Sequence, residues 1–310
     1  MTSAWVGPAP VTVRVPAKVN LELRVGAPRP DGFHPLATIF QAVSLYDDLT
    51  VEEATDWSVT VEGPGTQDVP TDGTNLAVRA LQLLGDEFRV ETPVAVTIRK
   101  QIPVAGGMAG GSADAAAALV AGDAFWGLGL DKPALEEIAA DLGSDVPFLV
   151  AGGTAIGTGR GELLAPVLSR GTFHWVFALS ETGLSTPAVY AEFDRLAPDA
   201  PRQVPEPKAE TMAALRQGDP YALAEALEND LQPAALSLRP DLAEVLDAGL
   251  EMGALGGIVS GSGPTLAFLV ADNEAGLDLA VGLTASGVVR DVRRATGPVH
   301  GAHPLLVARD

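Results

Sequence analysis

Between Val11 and Val25 the chain alternates with a period of two. Val11, Val13, Val15, Ala17, Val19, Leu21, Leu23 and Val25 are apolar, and the positions between them are polar apart from Pro16. Successive side chains of a strand leave by opposite faces, so this pattern predicts a strand with one face in a core and the other in water. Pro16 cannot donate to a ladder, and it predicts either two strands or one bulged strand at a sheet edge. The chain must therefore build on a sheet. Residues 35–53, 57–62 and 94–100 read as further strands, with a helix expected over Asn75–Leu84.

After 94–100 comes PVAGGMAGGSADAA (103–116), a glycine loop leading into a helix expected over Ala113–Trp126. A second helix is predicted at Pro133–Leu142, with Asp131 as N-cap and Gly143 as its stop. The run 143–159, GSDVPFLVAGGTAIGTG, reads as loop, short strand and turn. From about residue 165 the order changes. Strand His174–Ser180, helix Asp241–Met252, strands Gly257–Gly261 and Thr265–Ala271, helix Glu274–Ala285 and strand Gly287–Ala295 fit a ferredoxin-like β-α-β-β-α-β unit with an inserted helical segment. The proline-rich run 196–210 is expected as a surface loop within this half. The domain division is placed at 1–165 and 166–310, in keeping with the 310 residues of the chain.

Composition removes several classes of function. There is no cysteine, which excludes disulfides, thiolate zinc sites and thiol catalysis. The first ten residues lack the basic and apolar regions of a secretory signal. The uncharged window 252–271 contains five glycines and a proline, and reads as strand–turn–strand instead of a membrane span. A cytoplasmic location, with no membrane partner, is the expectation. The net charge of −20 argues against nucleic acid as a partner, since phosphate neutralisation needs a basic face. Residues 11–30 run against that charge, with Arg14, Lys18, Arg24 and Arg29 facing only Glu22.

Five stretches can carry chemistry. The backbone N–H groups of the glycine loop and of the following helix can cradle phosphate oxygens, or the glycines can serve only to pack a helix on a sheet. The loop matches neither the G-x-x-x-x-G-K-[ST] nor the G-x-G-x-x-G pattern. Asp114 reads as a helix cap or as a neighbour of bound Mg²⁺. Lys18 and Asn20 share the polar face of the first strand, in a chain with four lysines. Asp145, in GSDVP, is either a turn aspartate or a carboxylate aimed into a cleft, where it would take a proton in phosphoryl transfer beside a lysine. His34, Phe33 and Phe40 are near a turn, and can sandwich a nucleobase or serve only structure. SGSGPT (260–265) is a hairpin turn or a second glycine loop closing over the site.

Three of these stretches, PAKVN, PVAGGMAGGSADAA and SGSGPT, resemble in order the three motifs of the GHMP small-molecule kinases, the galactose, homoserine, mevalonate and phosphomevalonate group. The resemblance implies an α+β, two-domain GHMP kinase fold: an N-terminal ribosomal-protein-like domain with a left-handed βαβ unit, a C-terminal ferredoxin-like domain, and a site between them. RPDGFHPLATIFQAVSLYDDL, GTNLAVRA, LGSDVPFLVAGGTAIGTGRGE and STPAVY are similar to the branch whose acceptor is a cytidine diphosphate-linked methylerythritol. That branch phosphorylates the acceptor's 2-hydroxyl in non-mevalonate isoprenoid biosynthesis. ATP and Mg²⁺ are implied as cofactors. Carried over by motif, Asp145 is the base and Lys18 its charge-stabilising partner. Asn20 places the polyol, and Phe33, His34 and Phe40 form the cytidine pocket with Thr186, Pro187 and Tyr190. Pro103 and the loop Gly106, Gly107, Met108, Ala109, Gly110, Gly111 and Ser112 wrap the triphosphate, with Asn75 near the purine.

The family loop often reads G-L-G-G-G-S, and Met108 and Ala109 are this chain's departures from it. Phe33 and Tyr190 exchange the phenyl and phenol expected at their two sites. Two alternatives stand beside this reading. A homoserine or mevalonate acceptor would need no cytidine pocket. A nucleotide- or RNA-binding module is the other, since the N-terminal fold also occurs in ribosomal proteins.

Overall fold

The structure, a computed structural model, describes residues 8–104, 106–180, 182–196, 205–289 and 291–305. Much of the proline-rich run, and the first seven residues, lie outside that set.

The chain begins with two long strands, β1 (Val11–Val25) and β2 (Leu36–Glu53), followed by β3 (Ser58–Glu62), α1 (Leu76–Phe88) and β4 (Val94–Arg99). Helices α2 (Gly110–Trp126), α3 (Lys132–Leu142) and α4 (Val146–Ala151) come next, and then β5 (Thr154–Gly159) and β6 (Leu163–Pro166). The second half runs β7 (Phe173–Leu179), α5 (Thr186–Leu196), α6 (Ala209–Gln217), α7 (Pro220–Ala226), β8 (Glu228–Asn229) and α8 (Gln232–Leu238). It continues through α9 (Asp241–Glu251), β9 (Gly256–Val259), β10 (Leu266–Val270), α10 (Asn273–Ser286), β11 (Asp291–Gly297) and β12 (His303–Pro304). No helix among the described residues is long and apolar enough to cross a membrane. Residues 252–271 form strand, turn and strand, as the glycines predict.

Two sheets organise the molecule. The larger has the order β12-β1-β2-β4-β3, with β5 also on β2, β6 on β5, and β8 on β1. β3 and β4 run parallel and are joined through α1, the βαβ unit of this sheet. The smaller sheet has the order β11-β7-β10-β9, the 4-1-3-2 arrangement of a ferredoxin-like unit. Segments of the second half return to the first sheet: β8 pairs with β1 at Glu22 and Leu23, and β12 at Val13 and Arg14.

The first strand departs from its simple reading in two ways. It is one strand, with a register shift at Pro16/Ala17 and another at Asn20/Glu22, so the proline marks a bulge and not a break. Its even face is not in water. Lys18, Asn20 and Glu22 are all buried, because the second half of the chain and the loop from α3 to α4 cover them. The odd face rests on α2, whose Ala113 and Ala115–Ala118 are fully buried. Small side chains let that helix lie close against β1 and β2.

Three further corrections concern local elements. α2 begins at Gly110, three residues before the expected start, because glycines in the first turn do not prevent helix formation once burial favours it. VPFLVA is a helix, α4, with Pro147 in its first turn; a short wholly apolar run has no period that separates helix from strand. β11 starts at Asp291, after Gly287 (φ +76°) caps α10. The caps of α3 are as predicted: the Asp131 side chain accepts from Ala134 N, and Gly143 ends the helix.

Asp114 does not cap α2, whose N-cap is Ala109. Its Oδ2 accepts from Lys100 Nζ at 2.7 Å, and the same ammonium donates to Asp47 Oδ2 at 2.6 Å and to Gly110 O at 3.2 Å. Asp47 Oδ1 in turn accepts from the backbone of Gln101 and Ile102. Burial pushes the Asp114 carboxyl up, against the pull of Lys100. Burial alone would lower Lys100, but Asp114 and Asp47 outweigh it and raise the ammonium. The triad ties both ends of the glycine loop to β2. Lys100→Met leaves two carboxylates buried without their cation, and is expected to cost about 3–5 kcal/mol of folding stability. Urea denaturation checks this, and adding Asp47→Asn and Asp114→Asn to the same chain should recover most of the loss.

Candidate active site

A cavity of about 620 Å³ opens between the two sheets. It receives every residue expected to hold the acceptor. Lys18, Asn20, Phe33, His34 and Phe40 come from the β1–β2 hairpin, Asp145 from the turn before α4, and Thr186, Pro187 and Tyr190 from α5. Residues separated by more than a hundred positions thus meet at one wall.

At its centre is Lys18. The Nζ donates to Asn20 Oδ1 at 2.7 Å and is 3.8 Å from Asp145 Oδ2. Asn20 Nδ2 donates to Thr38 Oγ1 at 2.8 Å, and that hydroxyl donates to the Glu22 carbonyl. The Asn20 amide is thus fixed in one orientation and used at both ends to aim Lys18. Burial lowers the Lys18 ammonium below its ordinary range, while Asp145 acts in the opposite direction. Asp145 occupies the N-cap position of α4, but its side chain makes no capping hydrogen bond. The carboxylate is left facing Lys18 and the cavity.

The base-sized end of the cavity is aromatic. The His34 ring is 5.0 Å from Tyr190 between centroids, and its Nε2 is 2.9 Å from Asp194 Oδ1. Burial, with Asp145 adding to it, raises the Tyr190 phenol, which therefore stays protonated. Phe33 is half exposed, while Phe40 is buried and stacked on Phe148 at 4.8 Å. Phe40 is thus part of the cavity floor more than of an open platform.

The glycine loop approaches from the other side of Lys18. Of the run Gly106–Ser112, Ser112 lines the cavity and the rest lie behind it. Gly107 has φ +76°, and a Cβ there would lie 2.2 Å from the Ser260 carbonyl, so the position requires glycine. Ser260 Oγ donates to the Gly107 carbonyl at 3.1 Å, joining this loop to the 260–265 turn. A Cβ on Gly261 would be 3.1 Å from Lys18 Nζ. SGSGPT is therefore both a hairpin turn and a wall of the site. Ala109, at φ +61°, caps α2 without any side-chain hydrogen bond, so the first N–H groups of the helix are not claimed by a cap.

Asn75, Pro103 and Gly106–Gly111 do not line the cavity. Asn75 caps α1 by accepting from Ala77 N and donates to the Pro70 carbonyl. It still flanks the loop, since a Cβ on Gly111 would be 3.5 Å from Leu76 Cδ1.

Arg160, Ser144 and Asp194 also line the cavity, and no residue-level reading of the sequence singled them out. Asn229 supports the wall from behind: its Nδ2 donates to the Val259 and Gly261 carbonyls at 2.8 and 2.7 Å, and its Oδ1 accepts from Leu231 N. Only the fold reveals this contact, because the partners lie about thirty residues apart. Asn229→Ala strands buried backbone groups, and is expected to cost about 1–3 kcal/mol, read as a lower urea midpoint.

The comparisons with known proteins follow the same lines. The family model "GHMP kinases N terminal domain" matches residues 75–153, and "GHMP kinases C terminal" matches residues 211–288. A 4-diphosphocytidyl-2-C-methyl-D-erythritol kinase of Mycolicibacterium smegmatis is 56% identical over 304 residues, covering 97% of this chain and 94% of the relative. The protein of that name from Streptomyces coelicolor is 57% identical over 298 residues, covering 95% and 99%. A solved structure of a 4-(cytidine 5'-diphospho)-2C-methyl-D-erythritol kinase superposes with a TM-score of 0.74 at 32% identity, covering 92% of this chain and 98% of that one. A homoserine kinase from Cytophaga hutchinsonii reaches 0.75 at 16% identity and shares the fold alone. Near-full-length identity above one half, together with both domain matches, makes this chain a member of the GHMP kinase family, in its 4-diphosphocytidyl-2-C-methyl-D-erythritol kinase branch.

Proposed function

We propose that this chain transfers the γ-phosphoryl group of ATP to the 2-hydroxyl of 4-diphosphocytidyl-2-C-methyl-D-erythritol, in non-mevalonate isoprenoid precursor biosynthesis. The observation that most directly supports this is the convergence of Lys18 and Asp145 with His34 and Tyr190 on one cavity. That cavity has a reacting end and an aromatic end. A homoserine or mevalonate acceptor would leave the aromatic end unused.

In this reading the N-terminal domain, 1–165, presents the ATP loop and the catalytic pair, and the C-terminal domain, 166–310, closes the acceptor side. The uncapped N-terminus of α2 and the loop Gly106–Ser112 take the triphosphate, with Pro103 and Asn75 flanking it. The fit is physical: bare backbone at Gly107, a helix start without a side-chain cap, and a hydroxyl at Ser112 facing the cavity. Phe33, His34, Phe40 and Tyr190 hold the cytosine, and Thr186 and Pro187 border it. Thr186 and Ser262 share a hydrogen bond of 2.8 Å that ties α5 to the 260–265 turn.

Asp145 takes the proton of the acceptor hydroxyl as its oxygen bonds to the γ-phosphorus. The bond from that phosphorus to the bridging oxygen of ADP breaks. Lys18 neutralises charge on the phosphoryl oxygens, and Asn20 aims it. Most of the barrier is met by positioning and by charge stabilisation in a covered site. Mg²⁺, when bound with the nucleotide, would offset the charge of the phosphates. Of this chain's residues, the Ser112 hydroxyl, which lines the cavity, would contribute to holding the ion. A cytoplasmic setting without a nucleic-acid partner belongs to the same reading, in keeping with ATP as donor and a net charge of −20.

The deciding experiment is ³¹P NMR of the protein with ATP, Mg²⁺ and the cytidylyl substrate. A new phosphomonoester signal should appear together with ADP. Asp145→Asn should slow its appearance at least about a hundredfold while leaving acceptor binding largely intact. Intact ATP in the wild type, or unimpaired turnover in the variant, would overturn the assignment.

A pH profile tests Lys18 separately. A lowered ammonium loses its charge at lower pH than an ordinary lysine near about 10.4. The alkaline limb of kcat/KM, which reports the free enzyme, should therefore begin below that value. Arginine stays charged there, so the residual activity of Lys18→Arg should lack the limb. The same limb in both proteins would assign it to another group.

A further inference from the structure

The acceptor in this reading carries a diphosphate between its base and its polyol, and none of the residues assigned so far receives that charge. The cavity does not attract it by default. Asp145 and Asp194 line the wall, and the chain carries −20 overall. A buried or half-buried diphosphate needs a local cation.

Among the described residues, the lysine and arginine side chains of the lining are Lys18 and Arg160. Lys18 is engaged at the reacting end by Asn20 and Asp145. Arg160 is placed elsewhere. Its guanidinium carbon is 5.2 Å from the centroid of the Phe33 ring, at the aromatic end. The next residue, Gly161, lies near the reacting end: a Cβ there would be 3.5 Å from Phe40 and 3.9 Å from Ser144, which precedes Asp145. The turn that carries Arg160 thus spans the gap between the base platform and the general base. A diphosphate joining a stacked cytidine to a polyol at Asp145 has to cross that gap.

The guanidinium is ion-paired with Glu162, but among the described residues its N–H donors are unclaimed. Its nearest carboxylate, Glu162 Oε1, is 3.7 Å from Nε, beyond hydrogen-bonding distance. Glu162 is instead occupied with the backbone N–H of Arg160 at 2.6 Å, which holds the turn. Arg160 lines the cavity, its guanidinium makes no hydrogen bond among the described residues, and a planar fork of N–H donors suits paired phosphate oxygens. We propose that Arg160 is the residue that binds the acceptor's diphosphate, with Glu162 shaping the turn that presents it. This inference rests on the cytidylyl reading of the same cavity.

Titration calorimetry with CDP and with cytidine separates the two claims. The wild type should bind CDP at least about tenfold more tightly than cytidine, since a charge-assisted pair contributes roughly that factor or more. Arg160→Gln should remove most of that advantage and leave cytidine affinity unchanged, and Arg160→Lys should restore part of it. A Gln variant that keeps the full CDP advantage overturns the inference. Equal losses of CDP and cytidine also overturn it, because they would make Arg160 a support for Phe33 and not a phosphate ligand. Wild-type protein that binds neither molecule would overturn the cytidylyl reading itself.

Discussion

A strand buried on both faces sets the terms for the rest of the molecule. The apolar side of β1 is ordinary core against the alanine face of α2. Its other side buries an ammonium, an amide and a carboxylate, which is tolerable only when each finds partners. Asn20 satisfies Lys18, Thr38 satisfies Asn20, and the Glu22 carboxylate accepts from Lys208 N and Thr211 Oγ1 at the start of α6. The second half of the chain is therefore required by the polar face of the first strand, not merely appended to it. Trp175 Nε1 donating to Gln41 Oε1, and Ser44 bonded to Thr296, extend the same docking along β2.

That arrangement makes the reacting end of the cavity rigid. Lys18 cannot swing toward solvent, because its neighbours on β1 and β2 hold it and the Gly261 backbone closes over it. The two glycine segments need each other at this point. Gly107 has no room for a side chain because Ser260 is there, and the Ser260 hydroxyl returns a hydrogen bond to the Gly107 carbonyl. Below them, Lys100 between Asp47 and Asp114 fixes where the loop leaves β4 and enters α2. A buried ion network of this kind adds little net stability, but it specifies one geometry for the backbone it touches.

An acidic protein that handles two polyphosphates must confine its cations to the place of use. Lys18 and Arg160 lie along the cavity, while Lys100 is neutralised beneath the loop. The global field discourages long anionic polymers, and the local cations remain available to a ligand small enough to enter. Asp145 and Asp194 set the acidic side of the same cavity, one 3.8 Å from Lys18 and the other 2.9 Å from the His34 ring nitrogen.

Local pattern was enough to reveal the sheet-forming runs, the cap at Asp131, the hairpin at 260–265 and the glycine loop between strand and helix. These depend on spacing and on backbone chemistry that a few adjacent residues carry. The three motifs in order also identified the family and with it the two-domain fold. The sequence could not show that the even face of β1 is buried, that VPFLVA is helical, or that Asp114 belongs to Lys100, since each depends on what covers it from far along the chain. The same is true of Arg160, Asp194 and Asn229. An arginine on a glycine turn has no periodicity to mark it, and Phe33 becomes its neighbour only when β5 pairs with β2. The sequence by itself determined which elements form and which chemistry they carry; tertiary packing decided which polar side chains lose water, and burial is what turns a lysine, an aspartate and two glycine loops into one site.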